Sequence, residues 1–81
     1  MWFVYILLCE DGSLYTGYSN NVERRFSVHK SGKGGHYTRS HKPVRLVYQQ
    51  QFDTQSKALK KERQIKSWHR EKKIKILKIV I

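Results

Sequence analysis

The sequence predicts one small α+β domain over residues 1–81: a three-stranded antiparallel sheet flanked by helices, in the order ββαβαα. Three observations predict it. An apolar, β-forming run at 2–9 ends at "EDGS". A β-branched, alternating run, "VRLVYQQQF", occupies 44–52. Two basic segments, at 21–31 and from about 54 to 68, repeat their apolar residues at helical spacing.

The elements follow in order. Residues 2–9 form the first strand, and the Asp-Gly pair of "EDGS" favours a tight hairpin turn. "LYTGY" at 14–18 then returns antiparallel to it. "SNN" offers N-caps to a helix at about 21–31, with Val22 and Phe26 on its inner side and Gly32 as its stop. "GKGGHYTRSHKP" is a loop, with three glycines and a proline. After the third strand, Asp53 or Thr54 caps a second helix that continues to about Trp68. In "REKKIKILKIV", Ile74, Leu77 and Ile81 suit a last helix, although "IKILKIVI" also reads as a strand.

Composition narrows the function. A chain of 81 residues buries roughly 60–65% of its unfolded surface, enough for one modest core. No apolar run is long enough to span a membrane, and the apolar start lacks the basic leader of a signal peptide. The single Cys9 rules out an internal disulfide and suits a reducing cytoplasm. Seventeen Lys and Arg against six Asp and Glu give a net charge of +11. A field of that size attracts polyanions, nucleic acid above all. A merely lysine-rich surface, an acidic membrane or an acidic protein would account for the same charge.

Some positions resist a packing explanation. Glu62 falls on the apolar stripe of the second helix with Ala58, Leu59, Ile65 and Trp68. A carboxylate turned inward needs a cation or a metal beside it, and a salt bridge to Arg24, Arg25 or a lysine would serve. Arg25 and His29 are four apart and share one face of the first helix, while Arg24 points to solvent. Strand alternation places Tyr5 with Phe3 and Leu7, and Tyr15 with Ser13 and Gly17. Paired hairpin tyrosines are commonly packing. Tyr37, an aromatic among basic loop residues, is harder to account for that way. Other chemistries fail on spacing: the four histidines and Cys9 form no paired zinc pattern, "SGKGG" is no phosphate loop, and Cys9 reads as core.

Taken together, these residues resemble the GIY-YIG nuclease superfamily. "FVY" at 3–5 and "YTG" at 15–17 look like its two half-motifs, with Tyr15 ten positions after Tyr5. "NVERRF" and the acid of "ALKKERQIK" fall where the family's arginine and glutamate are expected. The resemblance spans nearly the whole chain and is strongest to small, stand-alone bacterial members. It implies a metal-dependent endonuclease acting on DNA, including structured or damaged DNA. Tyr5, Tyr15, Arg25, His29 and Glu62 would then be catalytic, with Gly17 at a turn close to the site. Glu62 would hold one Mg²⁺ or Mn²⁺, and Arg25 would contact the scissile phosphate. Lys33, Tyr37, Arg39, Lys42, Lys61 and Lys66 would track nucleic acid. Departures exist: Phe3, Val4 and Thr16 replace residues of the name motif, and Tyr18 stands where some repair nucleases carry a catalytic lysine. No separate DNA-binding domain is present, so a protein partner would be one source of substrate specificity. A nucleic-acid-binding module with little activity, or an adapter recruiting a nuclease, are the other readings.

Overall fold

A computed structural model describes residues 1–33 and 40–81. Tyr37 and Arg39, expected to contact nucleic acid, lie outside the described residues. Strands β1 (Trp2–Cys9), β2 (Leu14–Ser19) and β3 (Pro43–Phe52) form one sheet in the order β2-β1-β3. Helices α1 (Val22–Lys30), α2 (Gln55–Lys66) and α3 (Arg70–Leu77) complete the ββαβαα order. Both pairings are antiparallel.

The central β1 is apolar on both sides because helices cover both faces of the sheet. Val4 and Ile6 pack with Ala58 and Ile65 of α2, and with Ile79 beyond α3. Tyr5 and Leu7 pack with Val22 and Phe26 of α1. Alternation along one strand thus divides the interior into two cores.

The hairpin turn differs from the expected tight form. Cys9 N–H donates to the Ser13 carbonyl and Gly12 N–H to the Cys9 carbonyl, both at 2.9 Å. This is a three-residue loop, with Gly12 at φ +84° supplying the left-handed residue. Asp11 does not take a positive φ; its carboxylate accepts from Ser13 N–H at 3.0 Å. Hydrogen bonding from Ser13 and from His41 holds that carboxyl at about 2.

Both longer helices begin as their sequences require. The Asn21 side chain accepts from Arg24 N–H at 3.1 Å, and Thr54 Oγ1 accepts from Lys57 N–H at 3.2 Å. Thr54 is therefore the cap, and Asp53 instead pairs with Lys57 at 3.1 Å. α2 stops at Lys66, short of Trp68, where Ser67 closes it. The last segment is a helix rather than a strand. Lys78 takes a left-handed conformation (φ 53°, ψ 45°), and Ile79 N–H donates back to the Ile74 carbonyl at 3.0 Å. That reversal turns Ile79 into the core at 6% exposure and leaves Ile81 outside at 53%. No helix among the described residues is long and apolar enough to cross a membrane.

Candidate active site

The α1 face of the sheet gathers the aromatic and basic residues. Tyr5 stands on the central strand, opposite Gly17 of β2, and the next pair on that face is Leu7 with Tyr15. α1 lays Val22, Arg25, Phe26 and His29 over them, because these positions recur at three- and four-residue intervals. His29 is fully buried and Tyr5 nearly so, at 0% and 1% exposure, whereas Tyr15 and Arg25 are half-buried at the rim.

Tyr5 hydroxyl and His29 Nε2 share a hydrogen bond of 3.0 Å. The Tyr15 ring lies 4.8 Å from the imidazole, centroid to centroid, and 6.4 Å from the Tyr5 ring. Gly17 was expected at a turn but lies inside β2, with an ordinary strand backbone. Its role is space. A Cβ there would come within 2.6 Å of the Tyr5 hydroxyl oxygen and 2.7 Å of the ring carbon bearing it. Only a residue without a side chain lets Tyr5 lie flat across β2 and reach His29.

The electrostatics follow from burial. Desolvation and the neighbouring Tyr15 push the Tyr5 hydroxyl up to about 12, with the adjacent Arg25 guanidinium pulling the other way. Burial and the same guanidinium hold His29 below its usual value. The histidine is therefore neutral near pH 7, with a tyrosine that keeps its proton.

Glu62 comes from the other face. It lies on the inner stripe of α2 between Ala58 and Ile65, at 7% exposure. Its partner is Lys66, one helical turn on, with Nζ at 3.1 Å, rather than Arg24 or Arg25. Its charge still reaches Tyr5, as the weakest of the influences on that hydroxyl. α2 packs on the edge strand β2 as well as on β1. Lys73 of α3 donates to Thr16 Oγ1 at 3.3 Å on this face, and burial together with Lys66 lowers its pKa. Sequence reasoning missed Lys73, since nothing in the spacing of α3 shows that it reaches β2.

No group of three His, Cys, Asp or Glu side chains among the described residues converges on a metal position. Glu62 by itself suits a hard divalent cation that retains most of its waters and takes further oxygens from a phosphate. The expected backbone contacts are dispersed. Lys33 and Lys42 are exposed, Lys66 is held by Glu62, and Lys61 Nζ lies 5.7 Å from the Trp68 ring centroid. Cys9 is buried and burial raises its thiol pKa, which agrees with a core role. Two surface grooves among the described residues are lined by no tyrosine. One of about 230 Å³ involves Phe3, Asn21 and Gln49; a larger one involves Phe52 and the side of α2.

Known proteins resemble the chain over nearly its whole length. Residues 1–75 match the family described as GIY-YIG catalytic domain. The UPF0213 protein SSP2268 of Staphylococcus saprophyticus is 51% identical over 75 residues, covering 93% of this chain and 92% of that one. A UPF0213 protein of Staphylococcus aureus is 50% identical over 76 residues, covering 94% and 93%. The solution structure of the UPF0213 protein BH0048 from Bacillus halodurans superposes with a TM-score of 0.61 at 44% identity, covering 96% of this chain and 84% of that one. That of EF2693 from E. faecalis gives 0.64 at 39% identity, covering 94% and 81%. A family match over residues 1–75, relatives at about half identity over nearly their whole length and a shared fold lead to one conclusion: the chain belongs to the GIY-YIG family.

Proposed function

We propose that this chain is a divalent-metal-dependent endonuclease that hydrolyses phosphodiester bonds in DNA, structured or damaged DNA included. The observation that carries the reading is the Tyr5–His29 hydrogen bond, formed across Gly17 and rimmed by Tyr15 and Arg25. Packing alone gives no reason to bury a neutral histidine against a tyrosine beneath an arginine.

Each residue has a task in this reading. Arg25, half-buried and permanently charged, binds the scissile phosphate and stabilises the charge that grows on it. Tyr15, at the rim, orients the attacking water. The Tyr5–His29 pair receives the proton: Tyr5 takes it from water as its own passes to Nε2. Neutral His29 is the acceptor, because a tyrosine held near 12 is a negligible base at pH 7. Glu62 would hold one Mg²⁺ or Mn²⁺, which supplies Lewis acidity to a phosphate oxygen and to the departing 3′-oxygen. Lysines of α2 and of the 30–42 region bind the flanking backbone. The free thiol of Cys9 fits action in the cytoplasm.

Two observations favour the alternative of a binding module with little activity: the +11 charge, and the complete burial of His29. The test is cleavage of labelled single-stranded, duplex, flap and junction DNAs with Mg²⁺, Mn²⁺ or EDTA, comparing wild type with Glu62→Gln and Arg25→Ala. Metal-dependent cutting that both variants lose supports the nuclease. Salt-sensitive binding without cutting, retained by both variants, overturns it in favour of the module or of a domain that works with a protein partner.

A further inference from the structure

α2 carries a second stripe. Lys60 and Lys61 lie three and four positions after Lys57, and Gln64 four and three after them, so they line one side of the helix beside the buried Ala58–Glu62–Ile65 stripe. With Phe52, at the end of β3, they line a groove of about 510 Å³. That volume falls within the roughly 300–1,000 Å³ of small-ligand sites. Phe52 is half-buried, and the lysine stems extend the apolar floor while their ammonium groups stay at the rim. The rim is strongly cationic. Lys57 is balanced by Asp53 at 3.1 Å, and Lys61 leans towards Trp68. Lys60 is exposed and has no ion-pair partner among the described residues.

We propose that this groove binds an unpaired stretch of nucleic acid, one base lying on Phe52 and the flanking phosphates on Lys60 and Lys61. The proposal rests on the nucleic-acid reading but not on cleavage. An aromatic floor inside a cationic rim matches a strand that offers a π-face and an anionic backbone together. A paired base has both faces covered by its neighbours in the stack, so a duplex offers only phosphates and leaves Phe52 without a role. An acidic peptide would satisfy the lysines and equally leave the ring unused. The occupant is therefore single-stranded, and a substrate with an unpaired arm would touch the chain both here and at the tyrosines.

The test uses the ¹⁵N-labelled full chain in EDTA, titrated separately with oligothymidine of about ten nucleotides, an abasic strand of equal length, a duplex and polyglutamate. The side-chain amide of Gln64 and the backbone amides of Lys60 and Lys61 report on the groove. With oligothymidine these signals should move, and Phe52→Leu should weaken its affinity by about fivefold or more while leaving the abasic strand unaffected. Phe52→Leu keeps an apolar side chain against the core. The exposed Lys60→Gln gives an independent check, weakening both strands alike. Equal affinity of wild type and Phe52→Leu for oligothymidine overturns the proposal. So do groove signals that stay still, or that move as strongly with duplex, abasic strand or polyglutamate. Because no metal is present, a chain that cuts no DNA can still pass this test, and an active nuclease can still fail it.

Discussion

Replacing Gly17 with alanine challenges the packing on which the whole site depends. The added Cβ would lie 2.6 Å from the Tyr5 hydroxyl oxygen and 2.7 Å from its ring carbon, against an ordinary separation of roughly 3.5–4.0 Å. The ring must retreat by about 1 Å, and Tyr5, at 1% exposure, has no free volume to retreat into. Overpacking of this kind costs about 1–3 kcal/mol. Moving the hydroxyl also breaks the 3.0 Å bond to His29, a further loss of about 0.5–1.5 kcal/mol. Alanine regains about 0.5–1 kcal/mol over glycine in a strand, since Gly17 has no positive φ to protect. The net expectation is a destabilisation of about 2 kcal/mol. Urea unfolding should show it as a lower midpoint with an unchanged slope. In a Tyr5→Leu background the clashing atoms are gone, and Gly17→Ala should become neutral or stabilising. A Gly17→Ala protein as stable as wild type, in a Tyr5 background, would refute the close-approach argument.

Three further outcomes are expected. His29 has a folded pKa below its unfolded one, so the unfolded chain binds more protons in between; stability is fully present above about 6.5 and declines as pH falls below it. His29→Gln should flatten that part of a plot of thermal midpoint against pH, and an unchanged slope would show that other groups dominate. Lys66 competes for the carboxylate of Glu62, so Lys66→Ala should raise Mn²⁺ affinity and Glu62→Gln should abolish it. Paramagnetic broadening of amide signals from residues 58–66 measures this without any turnover, and broadening that persists in Glu62→Gln would move the metal elsewhere. Lys78 holds a left-handed conformation at φ 53°, so Lys78→Gly should stabilise the fold by about 1 kcal/mol, read by denaturant midpoint. A loss of stability would mean that the Lys78 side chain contributes contacts outweighing the strain.

The two faces of β1 were legible in the sequence because alternation assigns each strand residue a side, and Tyr5, Phe3 and Leu7 do share one core. Helical spacing likewise turned Glu62 inward and put Arg25 with His29. Local periodicity fixes a direction but not what waits there. The partner of Glu62, the 3.0 Å contact of Tyr5 with His29, and the reach of Lys73 to Thr16 all depend on tertiary placement. Gly17 shows the same limit, since a glycine in a strand pattern does not announce which ring will cross it. Ile81 continues the helical spacing of Ile74 and Leu77, but a single left-handed Lys78 interrupts it and leaves Ile81 exposed. The groove beside α2 had a visible signal in the spacing of Lys57, Lys60, Lys61 and Gln64, but its floor, Phe52, comes from a different element.

The order β2-β1-β3 has a consequence for how the domain assembles. The middle strand precedes both its neighbours in the chain, and its partners arrive at very different times. β2 pairs with it through a loop of three residues, whereas the Trp2–Phe52 pair closes a span of 50 positions. Local hairpin closure is fast and non-local pairing slow. Tyr5, Tyr15 and Gly17 can therefore come together early, before α2 has brought Glu62 to the other face. Folding would become rate-limited by the docking of β3, leaving one edge of an apolar strand uncovered in the interval. A slow phase that reports on Tyr48 and Phe52, but not on the hairpin, would be its kinetic signature.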